Sequence, residues 1–571
     1  MKNKKFLLGL MVMFVLGFVL VACGGQEETG NDGGETDAPV EQEPNDTENG
    51  NDEQPTEPTG EMAINAPGWP SLDEPVTMTI MAPGTAVGDW PNMPIFRYAT
   101  AQTNIHFEFN TPPMDDFETV FSLALASGDV GDILFGLGAS RLTRAMEIEL
   151  GTQGLLIPLE DLIANYAPNL SALLDAYPDV RQNITAPDGH IYTLPFLQRG
   201  DNALWAVGPM WYNGTWLEEL GADVPETLDE FTDLMFAFRD AELAGPGVPV
   251  FPLSDNGMPW IRSYLAGAFG MVDSGQNAGI QVIDGVVRHN AMTENYRAYL
   301  EYMAMLFEEG IINPEVYTIA RDSHTALVRN NQVGIFQDWF SFFSTGSTEV
   351  EAVTDPMFRP LASEWDNTPM IRASARMATG AFAITSSNPN PAAAIAFIDF
   401  FYSDEGSEIL ARGPEGYLWV YAENDAGEQV KIFAQDFENP EEFRGSISPD
   451  FGLTSPRVVR EFPPIVQDAN EVPDTTFNDF IREETIRNFE PFGVVPFPLA
   501  GLTLEEAAET SIIEADLNSF LQEMEAQFIS GQRPINDDTW AELQATLETF
   551  RAPRLVEIYQ VVYDRWSSSG Q

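Results

Sequence analysis

Three stretches decide the fold: Val76-Thr77-Met78-Thr79-Ile80-Met81, Ile105-His106-Phe107-Glu108-Phe109, and Ser127-Gly128-Asp129-Val130-Gly131-Asp132-Ile133-Leu134-Phe135. The first two read as strands, the second by strict apolar alternation, and Ile133-Leu134-Phe135 reads as a short buried strand after a Gly-Asp turn. A helix is expected between the first two, from about Pro94 to Thr103. Another is expected over Asp115–Ser127, where Phe117, Val120, Phe121 and Leu125 recur at helical spacing and Asp115 stands as a cap. Strands alternating with helices predict an α/β chain with a mostly parallel sheet. Ligands of such sheets collect at the carboxyl ends of the strands. The loops after Met81 and Phe135 therefore mark a candidate cleft.

The chain has 571 residues, which suits three or four ordinary domains or two large lobes. Hydrophobic residues make up 44%, enough to bury a core over most of that length. A net charge of −60 excludes nucleic acid as a general partner, because phosphates would be repelled. One cysteine excludes an intrachain disulfide and a cysteine metal cluster. His106, His190, His289 and His324 include no pair at helical ligand spacing, which argues against a histidine-rich zinc site.

The N-terminus carries an address. Lys2, Lys4 and Lys5 precede an uncharged apolar run from Phe6 to Ala22, which reads as a secretory signal segment and is short for a membrane span. Residues 24–66 hold 13 acids and no base, so they are expected to form a solvated tether with a reach of roughly 35 Å. Setting residues 1–66 aside leaves 75 acids against 25 bases, a net charge of −50, with Lys431 as the one lysine. Arginine keeps its charge at any accessible pH, so this exterior suits an alkaline or saline habitat; a codon bias toward arginine is the plainer reading.

Several motifs resemble known families. Leu20-Val21-Ala22-Cys23 is similar to the lipobox of bacterial lipoproteins, which implies cleavage after residue 22 and a lipid anchor (diacylglycerol plus an amide-linked chain such as palmitate) on Cys23. Ser127-Gly128-Asp129 with Asp132-Ile133 is followed in order by Pro158-Leu159, Tyr166-Ala167-Pro168-Asn169, Asp188-Gly189-His190-Ile191-Tyr192-Thr193-Leu194-Pro195, Trp211-Tyr212-Asn213 and Val224-Pro225-Glu226-Thr227-Leu228-Asp229-Glu230-Phe231. Later come Asn388-Pro389, Ser403-Asp404-Glu405-Gly406, Gly413-Pro414-Glu415-Gly416-Tyr417, and Tyr563-Asp564-Arg565-Trp566. The series resembles extracellular solute-binding protein family 1, the substrate-binding lipoproteins of sugar ABC importers, in its large Gram-positive branch. Two places depart from the pattern: Leu228 stands where the family has Trp, and Arg551-Ala552-Pro553 where it has Lys and Gly.

The resemblance implies a two-lobed periplasmic-binding-protein-like fold of type II, with cleft and hinge between the lobes. The expected layout is a signal peptide over 1–22 and the acidic tether over 23–66. Lobe 1 is expected over 67–200 with a return at about 375–450, and lobe 2 over 201–374 with C-terminal helices at about 451–571. Extended crossings near Leu194–Gly208 and Met377–Thr385 are expected to act as hinges, with Gly200, Gly208 and Gly380 as flexible points. It further implies a monomer on the extracellular face of the membrane, an ABC permease as partner, an oligosaccharide as ligand and no cofactor.

Sugar rings offer apolar C–H faces to aromatic side chains and hydroxyls to Asp, Asn, Glu and Arg. The expected ligand-binding residues are aromatic or charged side chains at strand ends and in polar loops. They are Trp339 with Asp338 after the strand Val333–Phe336, Trp260 with Asp255, Trp90, Tyr417 and Trp419, Trp211 and Tyr212, and Arg141. Catalytic residues are not expected: there is no Gly-x-Ser-x-Gly turn, no phosphate-cradling Gly-x-x-x-x-Gly-Lys and no Asp-x-Asp-x-Asp-Gly calcium loop, and with 88 acids chance carboxylate pairs carry no information. A peptide or polyamine receptor, a sensory lipoprotein and a carbohydrate-active enzyme are the alternatives and weigh less.

Overall fold

The computed structural model of the chain describes residues 62–63, 68–85, 87–272 and 279–569. The expected signal peptide, Cys23 and nearly all of the tether lie outside the described residues. The tether's far end does not: Met62–Ala63 pairs antiparallel with Ser71–Leu72.

One six-stranded sheet runs in the order Val458–Val459, Leu194–Gln198, Met377–Ile384, Ile133–Phe135, Val76–Met81, Ile105–Asn110. Val76–Met81 pairs parallel with both Ile105–Asn110 and Ile133–Phe135. Met377–Ile384 runs antiparallel to its two neighbours. The Ser127–Phe135 stretch acts through backbone geometry. Gly128 ends the helix Phe117–Ser127 in the left-handed conformation that glycine favours. Asp132 then accepts the Thr79 N–H on its carboxylate at 2.8 Å and donates its own N–H to Thr79 O at 2.9 Å, which seats the third strand on the first. The Phe117–Ser127 helix starts after Asp116, whose side chain makes no capping bond, so Asp115 is not the cap.

Both faces of this sheet are covered. Ile80, Ile133, Phe135, Phe382 and Ile384 face one apolar core, and Met81, Leu134 and Ala383 face another, as the two-residue strand period requires. On the first face the helix Pro168–Ala176 has no capping side chain of its own. Asp399, from the helix Pro391–Asp399, supplies the cap: its carboxylate accepts Leu170 N–H at 2.7 Å, Asn169 N–H at 3.1 Å and Asn169 Nδ2 at 2.8 Å. Burial pushes the Asp399 carboxyl above its ordinary value, opposed by those bonds.

A second sheet is smaller. Met210–Tyr212 runs antiparallel to the central Val333–Gln337, which runs parallel to Phe251–Leu253. Its core recruits Phe477, Leu517, Trp540, Leu555 and Val562 from the C-terminal helices. Leu555, Ile558 and Val562 are buried at helical spacing, while Trp566 donates its indole N–H to Asn183 of the first lobe at 3.1 Å.

Three segments cross between the sheets: 199–209, 373–376 and 460–475. The first expected crossing, Leu194–Gly208, overlaps 199–209 once its ladder strand Leu194–Gln198 is set aside, whereas Met377–Thr385 is almost wholly a ladder strand and the link lies just before it, at 373–376. Gly380, at φ 73°, marks a register shift within its strand, with its N–H bonded to Thr193 Oγ1 at 3.2 Å. Val458–Val459 also joins the first sheet, beyond residue 450 where the return was expected to end.

The hairpin Trp419–Glu423/Gln429–Phe433 stands off the first sheet. Lys431, on its second strand, sits 2.5 Å from Glu408 and 4.4 Å from the Trp419 ring centre.

Two measurements check this account. Asp399→Ala leaves three donors without an acceptor and is expected to cost about 1–3 kcal/mol each for those fully buried, read as a lower urea midpoint. Gly208→Ala would place a methyl group 2.5 Å from Trp339 N and 2.6 Å from Asp338 O, so a loss of about 1–3 kcal/mol is expected; an unchanged midpoint would refute that close approach.

Candidate ligand-binding edge

Strand directions locate the site. Leu194–Gln198 is antiparallel to a strand that is itself antiparallel to Ile133–Phe135, so Gln198 ends at the carboxyl edge of the first sheet. The 199–209 crossing leaves from there. It enters the second sheet at Met210, opposite Gln337, the carboxyl end of the central strand. The two sheets thus turn their carboxyl edges toward the same crossing, the edge where α/β sheets bind ligands.

On the second sheet, three loops meet at this edge. Ser254–Gly257 follows Phe251–Leu253 and leads into Trp260 in the first turn of the helix Met258–Leu265. Asp338–Phe343 follows Val333–Gln337. The third loop follows Ile312, which bridges parallel to Leu253, and leads to Arg321 at the head of the helix Arg321–Arg329. Trp260 and Trp339 are 37% and 44% exposed, a large apolar surface for a polar loop. Tyr317, on the third loop, and Phe343, in the short helix Ser341–Thr345, are exposed as well.

Beneath the exposed rings lies a buried polar layer. Asp255 accepts Asn256 N–H at 2.7 Å on one oxygen and Gln337 N–H at 3.0 Å on the other. Asp338 accepts Trp339 N–H at 2.8 Å and Ser344 Oγ–H at 2.6 Å, with Arg321 Nη2 3.5 Å away. Ser254 Oγ accepts from Asn313 Nδ2 at 3.0 Å. Burial pushes the Asp255 carboxyl up to about 7; the Asp338 charge adds to the rise, while two backbone N–H groups and Arg321 oppose it.

The crossing is part of the site. Gly208 O accepts from Tyr264 O–H at 2.5 Å and from Gln337 Nε2 at 2.9 Å. Trp205 is buried behind Trp339, with ring centres 6.5 Å apart.

The expected residues separate into three groups. Trp339 and Trp260 are exposed at one edge, with Asp255 and Asp338 buried under them. Arg141 and Tyr417 belong to the first lobe. Arg141 follows the strand Ile133–Phe135, with Nη2 2.8 Å from Met114 Sδ, and Tyr417 is exposed before the hairpin. The remainder are core and correct the expectation. Trp90 is 1% exposed and packs on Phe96 and Phe135, because the apolar loop after the first strand turns its ring into the sheet face. Trp211 and Tyr212 are buried strand residues, Trp211 donating its indole N–H to Asp338 O at 2.9 Å. Trp419 is buried under Lys431 and donates to Gly413 O at 3.2 Å. Arg321, Tyr317 and Trp205 escape a linear reading; the apolar pair Ile311-Ile312 before a polar loop was the available signal for the first two.

A hollow of about 880 Å³ lies on the first lobe, lined by Val87, Phe437, Glu438, Asn439, Glu442, Phe443 and Ser446. It borders the loop after Val76–Met81, and so extends that sheet's carboxyl edge, but it is wide open to solvent and lacks a cation. The chemistry for holding a sugar is richer at the tryptophan loops. Among the described residues no group of three or more His, Cys, Asp or Glu side chains is arranged to hold a metal ion, and no helix is long and apolar enough to cross a membrane.

Comparison with known proteins agrees with this architecture. The fructooligosaccharide ABC transporter substrate-binding protein FusA of Streptococcus pneumoniae is 26% identical over 483 residues, covering 82% of this chain and 86% of FusA. Its structure in complex with kestose superposes with a TM-score of 0.66 at 24% identity, over 86% of this chain and all of that one. An HMO-binding, ABC-transporter-associated solute-binding protein of Bifidobacterium longum infantis superposes with a TM-score of 0.70 at 20% identity, over 86% and 99% of the two chains. These likenesses establish the two-lobed solute-binding fold. The lipoprotein LipO of Bacillus subtilis is 28% identical over 131 residues, 22% of this chain and 25% of LipO. The family description "Bacterial extracellular solute-binding protein" matches residues 86–408, more than half of the sequence, and the chain belongs to that family.

Proposed function

We propose that the protein is the substrate-binding component of an ABC importer, held at the outer face of the membrane through a lipid on Cys23. It captures an oligosaccharide between the two carboxyl edges and delivers it to the permease. The observation that carries this reading is the pair of exposed indoles, Trp260 and Trp339, beside the Arg321 guanidinium at one sheet edge. Rings present apolar faces to the sugar's C–H surface, and a guanidinium with free N–H groups pairs with hydroxyls. The name of FusA as a fructooligosaccharide-binding protein supports the same ligand class.

Rotation about the three crossings would bring the Arg141 edge and the tryptophan edge onto one ligand. Contacts made only in the closed form supply the free energy for closure. Trp205 sits on a crossing and behind Trp339, so a sugar stacked on Trp339 would press on the segment that must move. The transport role of the relatives favours binding without turnover.

Thermal-shift screening of residues 62–571 against mono- and oligosaccharides, with peptides and polyamines as controls, tests the reading. A ligand at 100 times its Kd adds about 2.7 kcal/mol of stability. Trp339→Ala is expected to weaken binding of the responding sugar by roughly 30-fold, the weight of about 2 kcal/mol of lost ring contact. A shift with a peptide or polyamine instead would overturn the ligand class, and consumption of the sugar would overturn binding without turnover. Cys23→Ala in the full chain is expected to move the protein from the membrane fraction to the medium; retention in the membrane would refute the anchor.

A further inference from the structure

We propose that Asp255 is a positioning residue that ties the Trp260 loop to the Trp339 loop, and that it does so fully only while its carboxylate is ionised. The sequence reading placed Asp255 against ligand, but the side chain is 1% exposed and both of its oxygens are spent on backbone N–H groups. One bond holds Asn256, on the way to Trp260. The other holds Gln337, two residues before Trp339. Gln337 in turn donates to Gly208 O on the crossing, where Tyr264 O–H donates as well. One carboxylate therefore sets the relative placement of both exposed indoles and of the crossing behind them.

The charged and titratable groups around it are Asp338 from the Asp338–Phe343 loop, Arg321 and His324 from the helix Arg321–Arg329, and Tyr264 from the helix Met258–Leu265. Burial holds the His324 imidazole below its ordinary value and the Tyr264 hydroxyl far above its own, so neither gains charge near neutrality. Arg321 faces two carboxylates, with its Nη2 nearest Asp338.

Protonation has two opposite effects. The carboxyl lies near 7 in the folded chain, against an ordinary 3.8. Its contribution to stability is thus fully present below about pH 4 and is lost as pH rises through about 7. Yet the neutral acid has an O–H where an acceptor is needed, so it cannot hold both N–H groups as the carboxylate does. Acidification through neutrality is expected to relieve the buried charge while loosening the tryptophan loops.

The proposal rests on the tryptophan edge being the ligand surface, but its first test needs no ligand. The Trp339 contribution to fluorescence, taken as wild type minus Trp339→Phe, is expected to change with a midpoint near pH 7. Asp255→Asn, neutral at every pH and with an amide facing one of the two N–H groups, is expected to abolish that change. Arg321→Met, a substitution of an exposed side chain, is expected to move the midpoint to higher pH by removing the cation that favours the carboxylate. With kestose as probe, binding is expected to be roughly tenfold weaker at pH 6 than at pH 8.5, the weight of one charge-assisted hydrogen bond, with Asp255→Asn weak at both. A wild-type signal flat across neutrality, or a midpoint unmoved by Arg321→Met, would overturn the proposal. So would a transition that survives in Asp255→Asn. If the fluorescence arm succeeds and no saccharide binds, the ligand reading fails and the positioning role stands.

Discussion

The first sheet depends on one strand that arrives late in the chain. Ile133–Phe135 and Leu194–Gln198 each present a row of backbone N–H and C=O groups that must be paired when buried. Met377–Ile384 fills the gap between them, antiparallel to both. The chain has to leave after Gln198, build the second sheet, and return some 180 residues later to satisfy those edges. The two-lobed architecture follows from that return. The crossing Arg199–Pro209 and the short link 373–376 run side by side, tied by Ser374 N–H to Leu204 O at 2.9 Å and by Gln198 N–H to Arg376 O at 2.8 Å. These bonds and the bridge between Trp205 and Ala373 pair the two crossings into one double-stranded link.

Charge is handled locally in so acidic a body. The scarce cations are placed on carboxylates: Arg565 on Glu506, Arg457 on Asp450, Lys431 on Glu408. Many acids serve the helix starts, as in the capping boxes Thr227/Glu230 and Thr503/Glu506, where a carboxylate near the positive end of the helix dipole is favourable. At the ligand edge the same economy is pushed further. Asp255 and Asp338 share one neighbouring guanidinium, and the desolvation of Asp255 outweighs the bonds that favour its charge.

Much of the fold was legible in the sequence because the signals were periodic and local. The strands Val76–Met81 and Ile133–Phe135 and the helix Pro94–Thr103 stand at the residues the apolar spacing predicts. Glycines were legible as turn or hinge points but not by role: Gly128 ends a helix, Gly380 marks a shift within a strand, and Gly208 permits a backbone approach. Of the candidate site, the exposed rings were legible and their surroundings were not. Trp260 and Trp339 follow strands, so the strand-end rule finds them. Trp90 follows a strand too, and Trp419 stands in the hairpin, yet both turn inward, because exposure depends on which neighbours cover a ring, and those neighbours come from distant segments. Arg321 was missed because the strand-like piece at Ile312 is held by a single bridge to Leu253 and leaves no alternating pattern.

By itself the sequence determined the acidic character, the α/β class and the family, since each is written in composition, in short-range periodicity or in ordered motifs. Tertiary structure alone decided where the crossings run, which of the aromatic residues face solvent, and that the Asp255 carboxylate is buried and bonded to two backbone N–H groups. Those outcomes turn on burial and on hydrogen bonds between residues tens to hundreds of positions apart. Such contacts are fixed by the packing of whole elements, and no local run of residues specifies them.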